Sequence, residues 1–442
     1  MSKINLEYVI SACGMMGVFT NHVYDNHRPI LKESLLELMG DLKGSIASKA
    51  QSTSPSVAVL FNAYTESVFT EKFNALENLG AKSMYADSGG LQIVTAGKSI
   101  TEEIKREIYK TQTVADYAMC FDVIPLESFS KTRTRNERSN VGNKLFIDSK
   151  HTESGIATGK NIKAQVEVFR EMNAKTKVIP IIQGNNAADM VNYYTQIANT
   201  LSNEDYENIS GMAVADTCIG NGVLESIEML KGAREISQIC HPNIRKHLHI
   251  LGVGSISRMR PILYLNRSGY LDTFEKISYD SSSHTSTFDY GLLKVNGTCR
   301  ALGSVRTPKA VAHFKNVYAL FERFLKSKVD QDEFVDMILG DGVRDWKYST
   351  VKDLALSLPE EKMIIAFLSK TMHTYYQIDN FVTCIDGVMR EQSSGNKNID
   401  SLLKIKTDDD MRSWFTHISK SVPSKRIKRD ENHSALPQEL FA

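Results

Sequence analysis

Carboxylates stand at the ends of several short apolar segments of this 442-residue sequence. The clearest segment is MYADSGGLQIVTAGK over residues 84–98, where an apolar run stops at Asp87 and resumes after a Ser-Gly-Gly turn. A carboxylate can move a proton or attack an electrophilic carbon. A single strand-end aspartate is more often a turn or cap residue, so the chemistry depends on whether several converge. Residues at comparable strand ends are Asp87, Asp122, Gln183, Asp216, Gly252 and Asp280.

The elements that must position these residues are short β-rich runs alternating with helical patterns. Apolar residues at helical spacing predict helices over 101–114, 187–201 and 223–239. Strands that are apolar on both faces and alternate with helices are typical of a parallel sheet. In a barrel of such strands the carboxyl ends meet at one mouth, where catalytic groups lie. The predicted strands are residues 7–14, 56–64, 83–89, 116–123, 177–184, 209–216, 247–255 and 276–282.

This count predicts an α/β fold, a (β/α)8 TIM barrel with a C-terminal helical extension; a doubly wound open sheet is the alternative. The barrel domain is expected over residues 1–305 and a helical region with a polar, basic tail over 306–442. The change in pattern begins with the helical segment 308–328.

Composition narrows the function classes. The chain is 42% hydrophobic and 24% charged with a formal net charge of +1, which is typical of a globular protein and not of a globally basic nucleic-acid binder. Six scattered cysteines contain no C-x-x-C motif, so reduced thiols in a cytoplasmic protein are expected. The longest near-apolar run, residues 8–19, is too short to span a bilayer, and no membrane association is predicted.

Six motifs carry a resemblance to a known family. In order and spacing they resemble those of the queuine/archaeosine tRNA-guanine transglycosylase superfamily over about residues 57–305. The resemblance is strongest to the DNA-guanine transglycosylases of phages and bacterial DNA-modification clusters, which insert 7-deazaguanines into DNA. For a phage-encoded member the location would be the host cytoplasm. The motifs are DSGG-x-Q (87–92), FD (121–122), IIQG (181–184), GMAV (211–214), LGVG (251–254) and YDSSS (279–283).

The resemblance implies a base exchange in which guanine is replaced by a 7-deazaguanine resembling preQ0. It makes Asp280 the nucleophile that forms a covalent aspartyl-glycosyl intermediate. Asp87 would protonate the departing guanine and then deprotonate the incoming base. No cofactor is implied.

The base pocket must read a planar, guanine-like edge. Asp122 can accept from the N1–H and the exocyclic amine, Gln183 can donate and accept, and the backbone at Gly184 can approach closely. A target base inside a duplex must first be flipped out of the stack. The full set of base-binding candidates is Ser88, Gly89, Gly90, Leu91, Gln92, Asp122, Gln183, Gly184, Asp216, Leu251 and Gly252.

Basic residues beside the predicted mouth are candidates for phosphate contacts, with a solvated loop face as the plain alternative. Four lie in the loop SKTRTRNER (130–138) and two in the segment SRMR (257–260). They are Lys131, Arg133, Arg135, Arg138, Arg258 and Arg260.

The sequence departs from the tRNA enzymes in the region that holds their zinc. Only Cys299 and His313 stand where those enzymes carry C-x-C-x-x-C and a later histidine, so no metal is predicted. The C-terminal third also lacks resemblance to the RNA-binding module of archaeal members. Both absences favour DNA over tRNA as the partner, together with a free 7-deazaguanine base.

Three alternatives stay open at this point. One is a tRNA-guanine transglycosylase without the zinc site, and another is a non-catalytic nucleic-acid-binding partner subunit of the same family. A small-molecule barrel enzyme is disfavoured because no Gly-rich phosphate loop precedes a helix near the last two strands. The sequence leaves a homodimer open.

Overall fold

Nine β-strands, each parallel to its neighbours, form one sheet in the computed structural model of the chain. The strands are β1 Asn5–Ser11, β2 Ser56–Asn62, β3 Met84–Asp87, β4 Tyr117–Met119, β5 Lys177–Ile179, β6 Ile181–Ile182, β7 Met212–Ala215, β8 Leu248–Leu251 and β9 Lys276–Ser281. The structure describes residues 5–11, 56–64, 83–90, 100–125, 148–184, 186–215, 223–254, 256–281, 292–295, 298–301, 384–385 and 387–420.

The sheet curls almost into a closed ring. Its order is β5-β4-β3-β2-β1-β9-β8-β7-β6, and the two end strands are consecutive in the chain, separated only by Pro180. The Cys120 N–H donates to Ile179 C=O at 3.0 Å on one side, and the Ala213 N–H donates to Pro180 C=O at 2.7 Å on the other. The result is a TIM-barrel-like α/β fold, which confirms the predicted parallel barrel architecture over the open sheet.

All eight predicted strands are present, most of them with shifted or shorter bounds, and two of the changes have a clear cause. The predicted strand 177–184 is divided in two because Pro180 has no N–H for the ladder. The predicted strand 116–123 shortens to β4 because helix side chains take over its later backbone groups. Thr158 Oγ1 accepts from the Val123 N–H at 2.8 Å, and Asn161 Nδ2 donates to Phe121 C=O at 2.8 Å.

Helices cover the outside of the sheet. The three predicted helices are found, and the helix over 102–112 begins after the N-cap Thr101 and the one over 187–198 after the N-cap Asn186. The long helices over 148–171 and 256–268 were not predicted from the sequence. The helices are α1 Glu102–Gln112, α2 Asp148–Glu171, α3 Ala187–Ala198, α4 Asn203–Tyr206, α5 Val223–Ile239, α6 Ile256–Ser268, α7 Lys397–Asp400 and α8 Asp408–Lys420, with 3-10 helices at Pro242–Lys246 and Ser401–Lys404.

Helix α2 packs closely on α3 through two glycines. A Cβ on Gly155 would lie 2.8 Å from the Gln196 Cβ, and one on Gly159 would lie 1.8 Å from Thr200 Oγ1. No side chain fits at Gly159 unless Thr200 moves. Helix α2 contacts β5 and α3 contacts β6, so this helix pair supports the strand ends that lead into the site.

The described C-terminal part is helical and packs on α5 and α6. Arg234 Nε forms a 2.8 Å ion pair with Asp408, and Arg260 Nε forms one of 2.5 Å with Glu391. In chain order, an antiparallel hairpin of β10 Leu292–Val295 and β11 Thr298–Ala301 separates the barrel strands from these C-terminal helices. The predicted helix 308–328 and the predicted boundary at residue 305 lie outside the described residues. Within the ranges described, no helix has both the length and the apolar character needed to cross a membrane.

Candidate active site

Asp280 lies near the carboxyl end of β9, which pairs with β1 and β8 and is therefore held on both sides. Its side chain is buried, and its Oδ1 accepts from the Gly252 N–H at 3.0 Å. Its own carbonyl accepts from the Val253 N–H at 2.7 Å. Gly252 has a φ of 76°, so the turn after β8 favours glycine and aims its N–H at the carboxylate.

Asp87 ends β3 and belongs to the same mouth. Its carbonyl accepts from the Ala63 N–H at 2.9 Å, and its carboxyl accepts backbone hydrogen bonds from Ser88 and Gly89. Burial, followed by the negative charges of Asp280 and Asp122, raises the pKa of Asp87 to about 7, although the two backbone N–H groups oppose the shift. A carboxyl group with this pKa exchanges its proton near neutral pH, as an acid that later serves as a base must.

The DSGG turn has a steric explanation. Gly89 has a φ of 75°, and a Cβ there would lie 2.7 Å from the Tyr64 Cβ. Both the left-handed backbone and the contact with the end of β2 exclude other residues. At Gly90 a Cβ would lie 3.5 Å from Asp122 Oδ1, so this turn reaches the residue that follows β4. The turn thus joins the ends of three neighbouring strands.

Asp122 and Gln183 form a buried polar pair. Gln183 Nε2 donates to Asp122 Oδ2 at 2.6 Å. Burial raises the pKa of Asp122 to about 6, while the hydrogen bonds from Gln183 and from its own backbone favour the charged form. Gly184 follows, where a Cβ would lie 2.7 Å from the Met190 Cγ, so β6 ends directly against α3. An ionised carboxylate next to an amide can read a donor-rich planar edge.

His249 was not identified from the sequence. It is buried on β8, and its Nε2 lies 3.3 Å from Asp280 Oδ1 while its Nδ1 lies 2.7 Å from Ser278 Oγ. The segment HLHIL (247–251) alternates histidine with aliphatic residues, and that period of two places both histidines on one face of a strand. This alternation was the available signal.

The other predicted residues fall into three groups. Ser88 is buried with its Oγ accepting from the Gly90 N–H at 3.4 Å, and Leu251 is half-buried at the end of β8. Arg258 Nη1 donates to Gly252 C=O at 3.2 Å, which places it beside Asp280. Arg260 instead forms an ion pair with Glu391, so in this arrangement its guanidinium does not face a phosphate at the mouth. Outside the described residues lie Leu91, Gln92, Lys131, Arg133, Arg135, Arg138 and Asp216.

The described residues contain no group of three or more His, Cys, Asp or Glu side chains placed to hold a metal ion. His313 lies outside them, and of Cys299 only the backbone is described. The absence of zinc therefore stays a prediction.

No protein-family model matches this sequence, and no curated protein matches it.

Proposed function

We propose that this protein is a base-exchange transglycosylase that replaces guanine in DNA with a 7-deazaguanine derivative. One observation supports this most directly. Asp87, Asp122 and Asp280 lie at the same end of a parallel barrel, and the pKa of Asp87 rises to about 7, in part through the charges of the other two. An acid with a shifted pKa beside a second, buried carboxylate is the pair that a double-displacement glycosyl transfer needs.

The first half-reaction uses Asp280 and Asp87. A carboxylate oxygen of Asp280 attacks the sugar C1′ as the bond to the guanine nitrogen breaks, and the electron pair leaves with the base. Asp87, protonated below a pH of about 7, supplies the proton that the departing guanine takes. The products are neutral guanine and a glycosyl ester on Asp280.

The second half-reaction runs the same steps backwards with a different base. The ionised Asp87 removes a proton from a ring nitrogen of the 7-deazaguanine, and that nitrogen attacks C1′. The ester bond breaks and Asp280 regains its negative charge. Two inversions at C1′ leave the configuration of the sugar unchanged.

Asp122 and Gln183 supply recognition in this proposal. Above a pH of about 6 Asp122 is a carboxylate, which can accept from the N1–H and the amine of a guanine-like base. Gln183 is held against it and presents its own polar edge. Gly89 and Gly90 let the backbone approach the flipped base.

The choice of DNA as substrate and the eight-stranded form of the barrel are also part of the proposal. DNA is favoured because the chain lacks the zinc motif and the appended module of the tRNA enzymes. We count β5 and β6 as one strand broken at Pro180, which makes the sheet the eight-stranded (β/α)8 barrel with a C-terminal helical extension. A cytoplasmic setting, which is the host's for a phage protein, supplies both substrates; a homodimer is compatible with the proposal.

The test is exchange of radiolabelled guanine into duplex DNA, single-stranded DNA and tRNA at matched salt. Label is expected in DNA, together with a denaturant-resistant protein–DNA adduct when no incoming base is added. Exchange confined to tRNA would favour the tRNA enzyme, whereas binding without exchange would favour the partner subunit. No incorporation of label into any of the three polymers, together with no adduct, would contradict the proposal.

A further inference from the structure

A line of buried polar side chains continues from the proposed nucleophile into the barrel interior. His249 lies on β8 and His247 directly precedes that strand, while Ser278 lies opposite His249 in register on β9. Ser278 Oγ is 2.7 Å from His249 Nδ1 and 2.5 Å from His247 Nε2. All three side chains are buried. The line reaches Asp280 through His249 Nε2, at 3.3 Å from Oδ1.

The hydrogen positions along this line follow from counting donors. The Ser278 hydroxyl carries a single hydrogen, so it donates to one histidine and accepts from the other. Burial, followed by the charge of Lys276 and the neighbouring His249, holds the pKa of His247 well below its usual value, and His247 is neutral. A neutral imidazole has one N–H, which leaves two arrangements to compare.

In one arrangement Ser278 donates to His247 Nε2. His247 would then carry its hydrogen on Nδ1, which is buried and has no hydrogen-bond partner among the described residues. His249 would place its hydrogen on Nδ1 and face the Asp280 carboxylate with a bare lone pair. This arrangement orphans a buried donor and sets two acceptors against each other, and both are unfavourable.

In the other arrangement every hydrogen points toward an acceptor, and the 3.3 Å contact of His249 Nε2 with Asp280 Oδ1, which lacks hydrogen-bond geometry, is an electrostatic one. His247 Nε2–H donates to Ser278, Ser278 donates to His249 Nδ1, and His249 Nε2–H faces Asp280 Oδ1. Tyr85 is consistent with this polarity because its hydroxyl donates to Glu7 Oε2 at 2.5 Å and so turns a lone pair toward His247 Nε2 at 3.4 Å.

We propose that His249 is a positioning residue for the nucleophile, with Ser278 and His247 fixing its tautomer. This inference rests on the proposed function. His249 Nε2–H and the Gly252 N–H both address Oδ1, and no described residue makes a hydrogen bond to Oδ2. Oδ2 is therefore the oxygen that attacks C1′, and Oδ1 becomes the carbonyl oxygen of the ester.

The two N–H groups act on the return step as well. When the glycosyl ester breaks, the electron pair of the C1′–Oδ2 bond returns to the carboxylate, and negative charge spreads to Oδ1. Preorganised donors at Oδ1 stabilise that charge without reorganisation. No proton passes through His249 in either direction, since Asp87 handles the proton of each base.

Among the residues that the structure describes, Asp280 is the only charged group in contact with His249. Its other neighbours are His247 just before β8, Ser278 on β9, and the ring of Tyr85 on β3, which stacks on it with a centroid distance of 5.5 Å. The imidazole is thus buried, with few polar groups around it besides this line of side chains. The low local dielectric strengthens its electrostatic interaction with Asp280.

The first experiment needs no variant and no activity. In the free, 15N-histidine-labelled protein, His249 is expected to carry a hydrogen on Nε2, identified by comparison with a His249→Gln sample. An Nε2 without a hydrogen would overturn the inference. Because this readout does not require turnover, it judges His249 even if the transglycosylase assay fails.

The second experiment measures adduct formation in a single turnover. His249→Leu is expected to slow it by about 100- to 1,000-fold, the usual effect of removing one such donor. His249→Gln, whose amide nitrogen sits near the Nε2 position, should recover at least about tenfold, and Ser278→Ala should lose about 10- to 100-fold as second-layer positioning groups do. DNA affinity should not change, because none of these side chains faces the base.

A control variant and two contrary outcomes distinguish a positioning role from a structural one. His417→Gln, on the distant helix α8, should match the wild type. A merely structural role would reduce affinity, adduct rate and thermal midpoint together, and His249→Gln would not outperform His249→Leu; that pattern would sink the inference. Absence of adduct in the wild type would instead refute the proposed function and leave the tautomer measurement to stand alone.

Discussion

Two polar regions of the barrel interior differ in whether their charged side chains have partners of opposite charge. The carboxylate site is Asp87, Asp122 and Asp280 at the carboxyl ends of the strands. The interior polar cluster, a few residues earlier on the same or neighbouring strands, is Glu7, Tyr85, His247, Lys276 and Ser278.

The interior polar cluster compensates its charges. Glu7 Oε2 lies 2.6 Å from Lys276 Nζ and accepts from the Tyr85 hydroxyl, while Oε1 accepts from Ser83 at 3.1 Å. Lys276 Nζ also lies 4.7 Å from the centre of the Tyr117 ring, within cation–π range. These partners compensate the buried charge of Glu7.

The carboxylate site instead brings three acidic side chains close together. Among the described residues no lysine or arginine forms an ion pair with any of the three carboxylates. Burial raises the pKa of Asp122, and burial followed by the charges of Asp280 and Asp122 raises the pKa of Asp87. The comparison teaches that polarity alone does not mark the site; a lack of compensating charge does.

The largest expected effect comes from removing the nucleophile. Asp280→Asn should abolish the protein–DNA adduct and lower exchange by several orders of magnitude, because an amide cannot form the ester. Adduct on denaturing gels and label exchange measure it. Asp272→Asn, an exposed aspartate before the other end of β9, is the matched control and should behave as wild type. Adduct retained in Asp280→Asn would place the nucleophile elsewhere.

Asp87→Asn should lower the first half-reaction by about 100- to 10,000-fold, the usual contribution of a general acid. In the wild type the rate of that step should fall about tenfold per pH unit above a pH of about 7, as Asp87 loses its proton. Single-turnover rates between pH 5 and 9 test both. A guanine analogue whose departure needs no proton should restore the variant, and an unchanged pH profile in Asp87→Asn would disprove the role.

In the interior polar cluster the expected effect is on stability. Lys276→Met leaves Glu7 buried without its cation, which should lower the free energy of unfolding by about 3–5 kcal/mol. The double variant Glu7→Gln/Lys276→Met should regain most of that loss. The exposed pair Lys110–Glu107 is the control, and Lys110→Met should change stability by about 1 kcal/mol or less. Chemical denaturation distinguishes the two, and equal effects would mean that burial does not matter here.

Asp87→Asn should stabilise the protein in a pH-dependent way. The pKa of Asp87 is about 7 in the folded protein against 3.8 as its ordinary value, so ionising it disfavours folding increasingly as pH rises from about 4 to 7. Asparagine has no such penalty. The gain in thermal midpoint over wild type should therefore be larger at pH 8 than at pH 4. A gain that is equal at both values would show that Asp87 is not buried among like charges.

The smallest effect separates two neighbouring arginines. Arg258→Gln should weaken DNA binding a few-fold and reduce the salt slope by about one, as for one phosphate contact. Arg260→Gln should leave the salt slope unchanged because its guanidinium is paired with Glu391. Binding titrations at several salt concentrations measure both. Identical slopes for the two variants would remove Arg258 from the interface.

The strands and the strand-end residues were within reach of the sequence. Apolar runs ending at Asp87, Asp122 and Asp280 are local patterns, and barrel topology alone brings parallel strand ends together. The DSGG motif likewise predicts a turn, and Gly89 adopts the left-handed backbone that such a turn requires.

Other features depend on register and packing, which no local pattern encodes. His249 lies next to Ser278 because β8 and β9 pair in one register, and its contact with Asp280 follows from that pairing. Arg260 and Glu391 meet across 131 residues of chain.

The raised pKa of Asp87 arises in the same way. It depends on how deeply three strands bury charges that are far apart in the chain. The sequence by itself determined which residues end the strands. Only the tertiary structure decided which of them share a charge environment, because electrostatic energy depends on distance and burial in space.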